Sequence, residues 1–133
     1  MCKSLLKEFR FKIGEQYELN EFNLKSIEST FSNGLEYENY EYIKGDFETL
    51  FGLDLVRNVI LQYNGDILYG VIYEFKTKNI NSLIERINNF LSLKIAIKNT
   101  FKTDNNVVIL YKGFHLEFSV IKNRNVKLYI RSI

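Results

Sequence analysis

The chain has 133 residues, 46% of them hydrophobic and 26% charged, which is typical of a folded globular domain and excludes a disordered chain. One cysteine excludes an internal disulfide, and no proline marks a linker. The net charge is +2, but residues 1–66 hold seven Lys or Arg and twelve Asp or Glu, whereas residues 67–133 hold eleven and four. We therefore expect a single domain, 1–133, that selects its partners by charge.

The N-terminal third predicts a strand followed by a helix. Alternating apolar and basic residues favour a short strand over 9–13 that ends at Gly14. From residue 20 or 21 to 31 the apolar residues fall on one helical stripe, and the Asn33-Gly34 pair would stop that helix. The residues of the stripe are Phe22, Leu24, Ile27 and Phe31.

The middle of the chain predicts three strands and a loop. Residues 35–43 are aromatic and read as a strand, whose imperfect alternation predicts a bulge near Glu38 or Asn39. Residues 44–55 are irregular and predict a surface loop. The Asn64-Gly65 pair then predicts a type I′ hairpin turn between two strand-like runs.

Two further features refine the middle and C-terminal elements. Gly70, in the middle of a strand, predicts a bulge or a close backbone approach. Ser82 and Glu85 form a capping box ahead of an amphipathic helix. That helix carries Leu83, Ile84, Ile87, Phe90, Leu91 and Ile95 on one stripe.

The C-terminal third predicts an antiparallel meander. Residues 107–111 are continuously apolar, and residues 114–120 and 126–131 alternate. The predicted order is β-α-β-β-β-α-β-β-β. Because hairpins supply most connections, the expected class is α+β, a curved antiparallel sheet with two helices on one face.

No catalytic, metal or cofactor motif is present. His115 is the single histidine, and it shares a strand face with Glu117 and Ser119, a geometry in which the three groups do not converge. One Cys and one His cannot form a zinc site, and no calcium-loop or phosphate-loop spacing occurs. We expect a protein that is not an enzyme, with no metal and no cofactor.

The N-terminus has no apolar core of signal-peptide length, and no stretch reaches the roughly 18 apolar residues that span a bilayer. We therefore expect a cytoplasmic protein with no membrane partner. Its oligomeric state is left open.

The basic C-terminal half leaves a nucleic-acid-binding module as an alternative. Its Lys and Arg side chains would line the end of the helix and the last strands, with two tyrosines on which nucleobases could stack. They are Lys94, Lys98, Lys102, Lys112, Lys122, Arg124, Lys127 and Arg131, and the tyrosines are Tyr111 and Tyr129. A pI of 8.6 is below that of a dedicated nucleic-acid domain, so a solvated face explains these charges better.

The densest acidic run lies between Leu35 and Asp54 and is interleaved with aromatic residues. It reads either as the polar side of an edge strand plus a loop or as a surface for a cationic protein. Carboxylates speed the encounter with a basic partner, and tyrosines supply rigid contact area. The predicted partner-binding residues are Glu36, Tyr37, Glu38, Tyr40, Glu41, Tyr42, Asp46 and Glu48.

In size, composition and its Glu/Tyr-rich 35–54 segment the chain resembles bacterial toxin-immunity proteins of the contact-dependent or polymorphic-toxin type. The resemblance implies a small cytosolic α+β or β protein that neutralises a cognate toxin, frequently a basic nuclease, by binding it. No diagnostic motif aligns, so no residue roles carry over. A phage- or plasmid-borne accessory protein with another protein target fits the same features.

Overall fold

A nine-stranded antiparallel sheet organises the chain in the computed structural model, which describes residues 7–77, 79–91, 100–102, 106–111, 113–121 and 124–132. Its strands are β1 (Leu24–Ser26), β2 (Thr30–Ser32), β3 (Leu35–Tyr42), β6 (Ile60–Asn64), β7 (Ile67–Phe75), β8 (Thr100–Lys102), β9 (Asn106–Tyr111), β10 (Phe114–Ile121) and β11 (Asn125–Ser132). They lie in the order β1-β3-β6-β7-β11-β10-β9-β8, with β2 also paired to β3. A separate hairpin joins β4 (Thr49–Leu50) to β5 (Leu53–Asp54).

Within the described ranges there is one α-helix of more than two turns, α1 (Ile80–Leu91). Its amphipathic stripe is confirmed in part, since Leu83 and Ile87 are buried in the core, while Phe90 is 49% exposed and Ile95 lies outside the described residues. The helix begins before the predicted capping box, because the Asn79 side-chain Oδ1 accepts the backbone N–H of Ser82 at 3.1 Å. The α+β class is therefore confirmed, and of the two predicted helices the described structure contains the second. No described helix has both the length and the apolar character to span a membrane.

The predicted helix over 20–31 is wrong, and with it the predicted order of elements. The chain there forms two single 3-10 turns, Tyr17–Leu19 and Glu21–Asn23, followed by β1 and β2. The Asn33-Gly34 pair, with φ of 52° and 77°, is the turn of the β2–β3 hairpin, because positive φ at both central residues is what a type I′ turn requires. The apolar stripe does not face the core, since Phe22 is 91% exposed.

The predicted N-terminal strand is also wrong, although its burial pattern is right. Residues 9–13 pair with no described strand, yet Phe9 and Phe11 are buried and Arg10 is exposed. Phe9 packs on Tyr73 at a ring distance of 5.7 Å, and Phe11 packs on Tyr42 at 4.8 Å. The segment contributes to the core through its aromatic rings and not through sheet hydrogen bonds.

The core lies on one face of the sheet, between the sheet, α1 and the segments that precede β1 and β6. The prediction of an irregular surface loop over 44–55 is only partly right. Leu50 and Phe51 are buried, and Phe51 and Gly52 form the β4–β5 turn with positive φ. This small hairpin covers part of the core.

The β6–β7 hairpin is confirmed, but its turn is one residue later than predicted. Asn64 pairs with Ile67, so the turn residues are Gly65 and Asp66, of which only Gly65 has positive φ. This excludes the type I′ turn. Further along β7 the register shifts, and Tyr69 is the extra residue, next to Gly70 as expected. The bulge sends Tyr69 to the face of the sheet opposite Val71.

The C-terminal meander β9-β10-β11 is confirmed, and β11 joins it to β7. Strand β8 at the far edge was not predicted. Lys102 lies in β8, so it does not extend a helical stripe of lysines. Lys94 and Lys98 lie outside the described residues.

Strand β3 has no bulge, contrary to the prediction. Its register with β6 runs without interruption from Glu38 to Glu41. Its side chains therefore alternate strictly between the core side, which takes Glu38, Tyr40 and Tyr42, and the outer face of the sheet. The outer-face set is Leu35, Tyr37, Asn39 and Glu41.

Candidate protein-binding edge

One edge of the sheet consists of β1 and β2, which lie end to end beside β3. Ser26 pairs with Tyr40 and Thr30 pairs with Tyr37, so four steps along the edge match three steps along β3. The extra residue makes a bulge over 27–29. The irregularity that the sequence suggested in β3 is therefore present in its neighbour.

Asn39 holds this bulge from the outer face of the sheet. Its side-chain Nδ2 donates to the backbone oxygen of Glu28 at 2.9 Å and to the hydroxyl of Thr30 at 2.8 Å. Its Oδ1 accepts a hydrogen bond from the Gln62 Nε2 at 3.1 Å. Asn39 and Gln62 are both buried, so these bonds satisfy polar groups that water does not reach.

Tyr129, on β11, extends the same network across the sheet. Its hydroxyl donates to the Oε1 of Gln62, although β7 lies between their strands. The ring crosses β7 at Gly70, where a Cβ would lie 2.5 Å from the ring Cε1. Gly70 is thus the close approach that the sequence predicted, and burial raises the pKa of Tyr129 above its ordinary value.

Residues 30–37 form a two-stranded arm that extends past β6, because the pairing of β3 with β6 begins only at Glu38. All residues from 30 to 36 are exposed. Phe31 is 74% exposed and Leu35 49%. At the base of the arm, Tyr37 packs on Tyr69 with a ring distance of 4.7 Å.

Acidic charge and exposed apolar side chains coincide in one stretch of the chain, which contains this edge and the turns that precede it. Residues 15–41, which we call the acidic edge, hold seven Glu and one Lys. They also hold five of the nine large apolar side chains that are exposed in the described part of the chain, namely Leu19, Phe22, Ile27, Phe31 and Leu35. Between Lys25 and Lys44 there are four Glu and no Lys or Arg.

The predicted binding residues on β3 divide between two faces. Glu36 and Glu38 are exposed on the core side of the strand, while Tyr37 and Glu41 lie on the outer face. Tyr40 is partly buried, and its hydroxyl donates to Glu38 Oε2 at 2.9 Å. Burial and this hydrogen bond raise the pKa of Tyr40. Its ring packs on Tyr17 and Tyr63 at 5.2 and 5.8 Å.

Tyr42 and Asp46 serve the fold. Tyr42 is 2% exposed, and its hydroxyl donates to Asp46 Oδ1 at 2.7 Å. Asp46 also pairs with Arg10 at 2.9 Å, and this hydrogen bond is the main reason that its pKa falls to about 2. Lys44 lies further away, at 3.7 Å. Glu48 is exposed, outside the acidic edge.

The Asp46 cluster predicts an acid-dependent loss of stability. A carboxyl whose pKa is lower in the folded chain than in the unfolded chain stabilises the fold at pH values above its ordinary pKa, 3.8. This stabilisation is lost as the pH falls toward the folded pKa of about 2. We expect Asp46→Asn to unfold at lower urea concentration than the parent at pH 6, and most of the difference to be lost by about pH 2. Urea titrations from pH 6 to 2 measure this, with the exposed Glu36→Gln as control. A difference that persists at pH 2 would contradict the role of the carboxylate.

His115 does not form a catalytic arrangement with its strand neighbours. It lies opposite Arg131 on the outer face, and burial, followed by Arg131, lowers its pKa. The Nδ1 is buried without a hydrogen-bond partner in the described structure. Ser119 donates its hydroxyl to Asn106 at 2.8 Å instead. No three His, Cys, Asp or Glu side chains of the described ranges could hold a metal ion.

The predicted nucleic-acid surface is described only in part. Lys112 and Lys122 lie outside the described residues, as do Lys94 and Lys98, while Arg124 is exposed. Lys127 and Arg131 are partly buried on the outer face of β11. Tyr129 between them is hydrogen-bonded to Gln62 and is not a free stacking platform.

Comparison of the chain with models of known protein families, with curated proteins and with solved structures finds no match.

Proposed function

We propose that this chain is a non-enzymatic protein that binds a basic protein and inhibits it, and that the acidic edge is its binding surface. The observation that carries the proposal is the coincidence of seven Glu and five exposed apolar side chains within residues 15–41. Isolated exposed apolar residues are ordinary on a protein surface, but clustered ones within a field of one charge are typical of an interface.

The two components of this surface have separate physical roles. The carboxylates create a negative field that steers a basic partner and raises the rate of association. The apolar side chains contribute contact area that slows dissociation once the partner is in place. Within the predicted set of eight residues, Glu36, Tyr37, Glu38 and Glu41 are the ones that such a partner would meet. Tyr40, Tyr42 and Asp46 support them from within the fold.

Among proteins that act in this way, a bacterial immunity protein that neutralises a cognate toxin of the basic, nuclease type accounts best for these features. Such a toxin carries a cationic surface for its own substrate, so an acidic edge complements it. An accessory protein of a phage or plasmid that binds another basic protein would use the same surface. The two are separated by the identity of the partner, for which the neighbouring genes are the first source.

The proposal is tested with the purified basic proteins encoded by the genes adjacent to this one, each in a catalytically inactive form. We expect one of them to bind, and Glu36→Lys/Glu38→Lys to lower the association rate about tenfold at 50 mM salt, with a smaller effect at 500 mM. Stopped-flow fluorescence measures the association rate at both salt concentrations. Glu48→Lys/Glu85→Lys makes the same change in net charge at exposed sites outside the acidic edge, and is expected to change the rate much less.

Equal effects of the two double variants would show that net charge matters and the acidic edge does not. If no adjacent gene product binds the parent chain, the proposed function is wrong. The functional readout uses the catalytically active form of the partner. The chain is expected to suppress the activity of that form at equimolar amounts.

A further inference from the structure

We infer that the arm, residues 30–37, inserts into a concave cationic surface of the partner, with Phe31 as its apolar anchor. The inference rests on the proposed function and goes beyond it, because it names one element of the acidic edge and the shape of the surface that receives it. It also predicts that the other exposed aromatic residue of this edge, Phe22, contributes little.

The arm is convex. Beyond the last pair with β6, the two strands of the arm are paired only with each other within the described sheet, and the turn at Asn33-Gly34 is the end of the hairpin. Every residue from 30 to 36 is exposed, and because side chains alternate along a strand, both faces of the hairpin are exposed. An element of this shape buries most of its surface only inside a groove or cleft, since a flat partner would contact one of its faces alone.

The charge around the arm determines the kind of cleft. Glu28, Glu36 and Glu38 surround Phe31 along the chain or across the hairpin, and Phe31 is paired directly with Glu36. No Lys or Arg occurs in the chain between Lys25 and Lys44, so the arm itself carries no basic residue. A cleft lined with Lys or Arg and containing an apolar recess complements both the carboxylates and the ring.

The arm is held in place before it binds. An isolated two-stranded hairpin is only marginally stable in water. Here Asn39 binds the Thr30 hydroxyl and the Glu28 carbonyl oxygen at its base, and Tyr37 packs on Tyr69 on the same face. Because these contacts order the arm in the free protein, binding does not have to supply that ordering free energy.

Two other occupants of this edge fit less well. A second copy of the chain would bring two acidic arms together, and like charges across an interface oppose association. An extended peptide that adds a strand to the edge needs a continuous row of backbone groups. The edge instead offers two strands of three residues each, interrupted by the bulge over 27–29.

The experiment compares Phe31→Ala with Phe22→Ala against the adjacent-gene partner defined above. Both residues are exposed Phe within the acidic edge, 74% and 91%, so neither substitution removes core packing, and circular dichroism melts verify this. We expect Phe31→Ala to raise Kd about 30-fold or more, mainly through faster dissociation, and Phe22→Ala to change it less than about threefold.

The outcomes separate the inference from the proposed function. If charge reversal at Glu36 and Glu38 slows association but the two Phe variants behave alike, the arm is not the anchor and the proposed function stands. If neither the charge-reversal variant nor Phe31→Ala weakens binding, both the inference and the proposed function are overturned. Sedimentation of the parent as a dimer that Phe31→Ala dissociates would assign the arm to a second copy and overturn the inference. A cross-link from benzoylphenylalanine at position 31 to residues that line a basic cleft of the partner would support it.

Discussion

Gly70→Ala is expected to destabilise the chain by about 2–3 kcal/mol, measured as the free energy of unfolding in urea. The added Cβ would lie 2.5 Å from the Cε1 and 3.0 Å from the hydroxyl oxygen of Tyr129, so the ring must move away. That movement breaks the hydrogen bond to Gln62, a residue that is 5% exposed and whose Oε1 loses its donor. The cost therefore combines a steric term and an unsatisfied buried oxygen.

The matched control repeats the substitution in a Tyr129→Ala background. Without the ring there is no clash, and Gly70→Ala is then expected to be neutral or to stabilise by about 0.5–1 kcal/mol, because Ala has a lower conformational entropy cost than Gly within a strand. An equal loss in both backgrounds would show that the ring is not the reason for glycine at this position.

Gly70 also shows which features of the fold can be predicted from the sequence. A glycine within an apolar alternating run has few explanations, and both of those considered, a bulge and a close approach, are present. The amphipathic α1 and the C-terminal meander were predicted for a similar reason. Their apolar residues face the core, so periodicity reports directly on burial.

The prediction for residues 20–31 was wrong because periodicity there does not report on burial. Phe22 and Phe31 match a helical stripe, yet both are highly exposed. Their exposure follows from the position of the edge, which no further strand of the described sheet covers. The signal that could have corrected the prediction was Asn33-Gly34, since the same dipeptide was interpreted as a hairpin turn at 64–65 but as a helix end here.

The candidate site stays a prediction, and the structure shows only which of its residues are accessible. Acidic and aromatic composition pointed to residues 35–54, and Glu36 and Glu38 are indeed exposed. Composition cannot distinguish an interface tyrosine from a core tyrosine, which is why Tyr42 was included although it packs against Phe11. It also could not show that residues 24–32 form the edge beside β3, because that depends on strand pairing.

Asn39→Leu is expected to be the second strongly destabilising change, at about 2–4 kcal/mol. It removes three hydrogen bonds and leaves the Glu28 carbonyl oxygen and the Gln62 amide without the partners that they have in the parent. Urea unfolding measures the loss. Thr30→Val removes only the hydroxyl and keeps the branched shape, so it is expected to cost about 1 kcal/mol.

The effect of Asn39→Leu should also be local. Because Asn39 holds the bulge over 27–29 and the base of the arm, amide hydrogen exchange is expected to accelerate at residues 27–32 under conditions that leave β9, β10 and β11 protected. Uniform acceleration across the sheet would contradict this. A loosened arm must be ordered again when a partner binds, so Asn39→Leu is further expected to slow productive association even though residue 39 is buried and does not reach the partner.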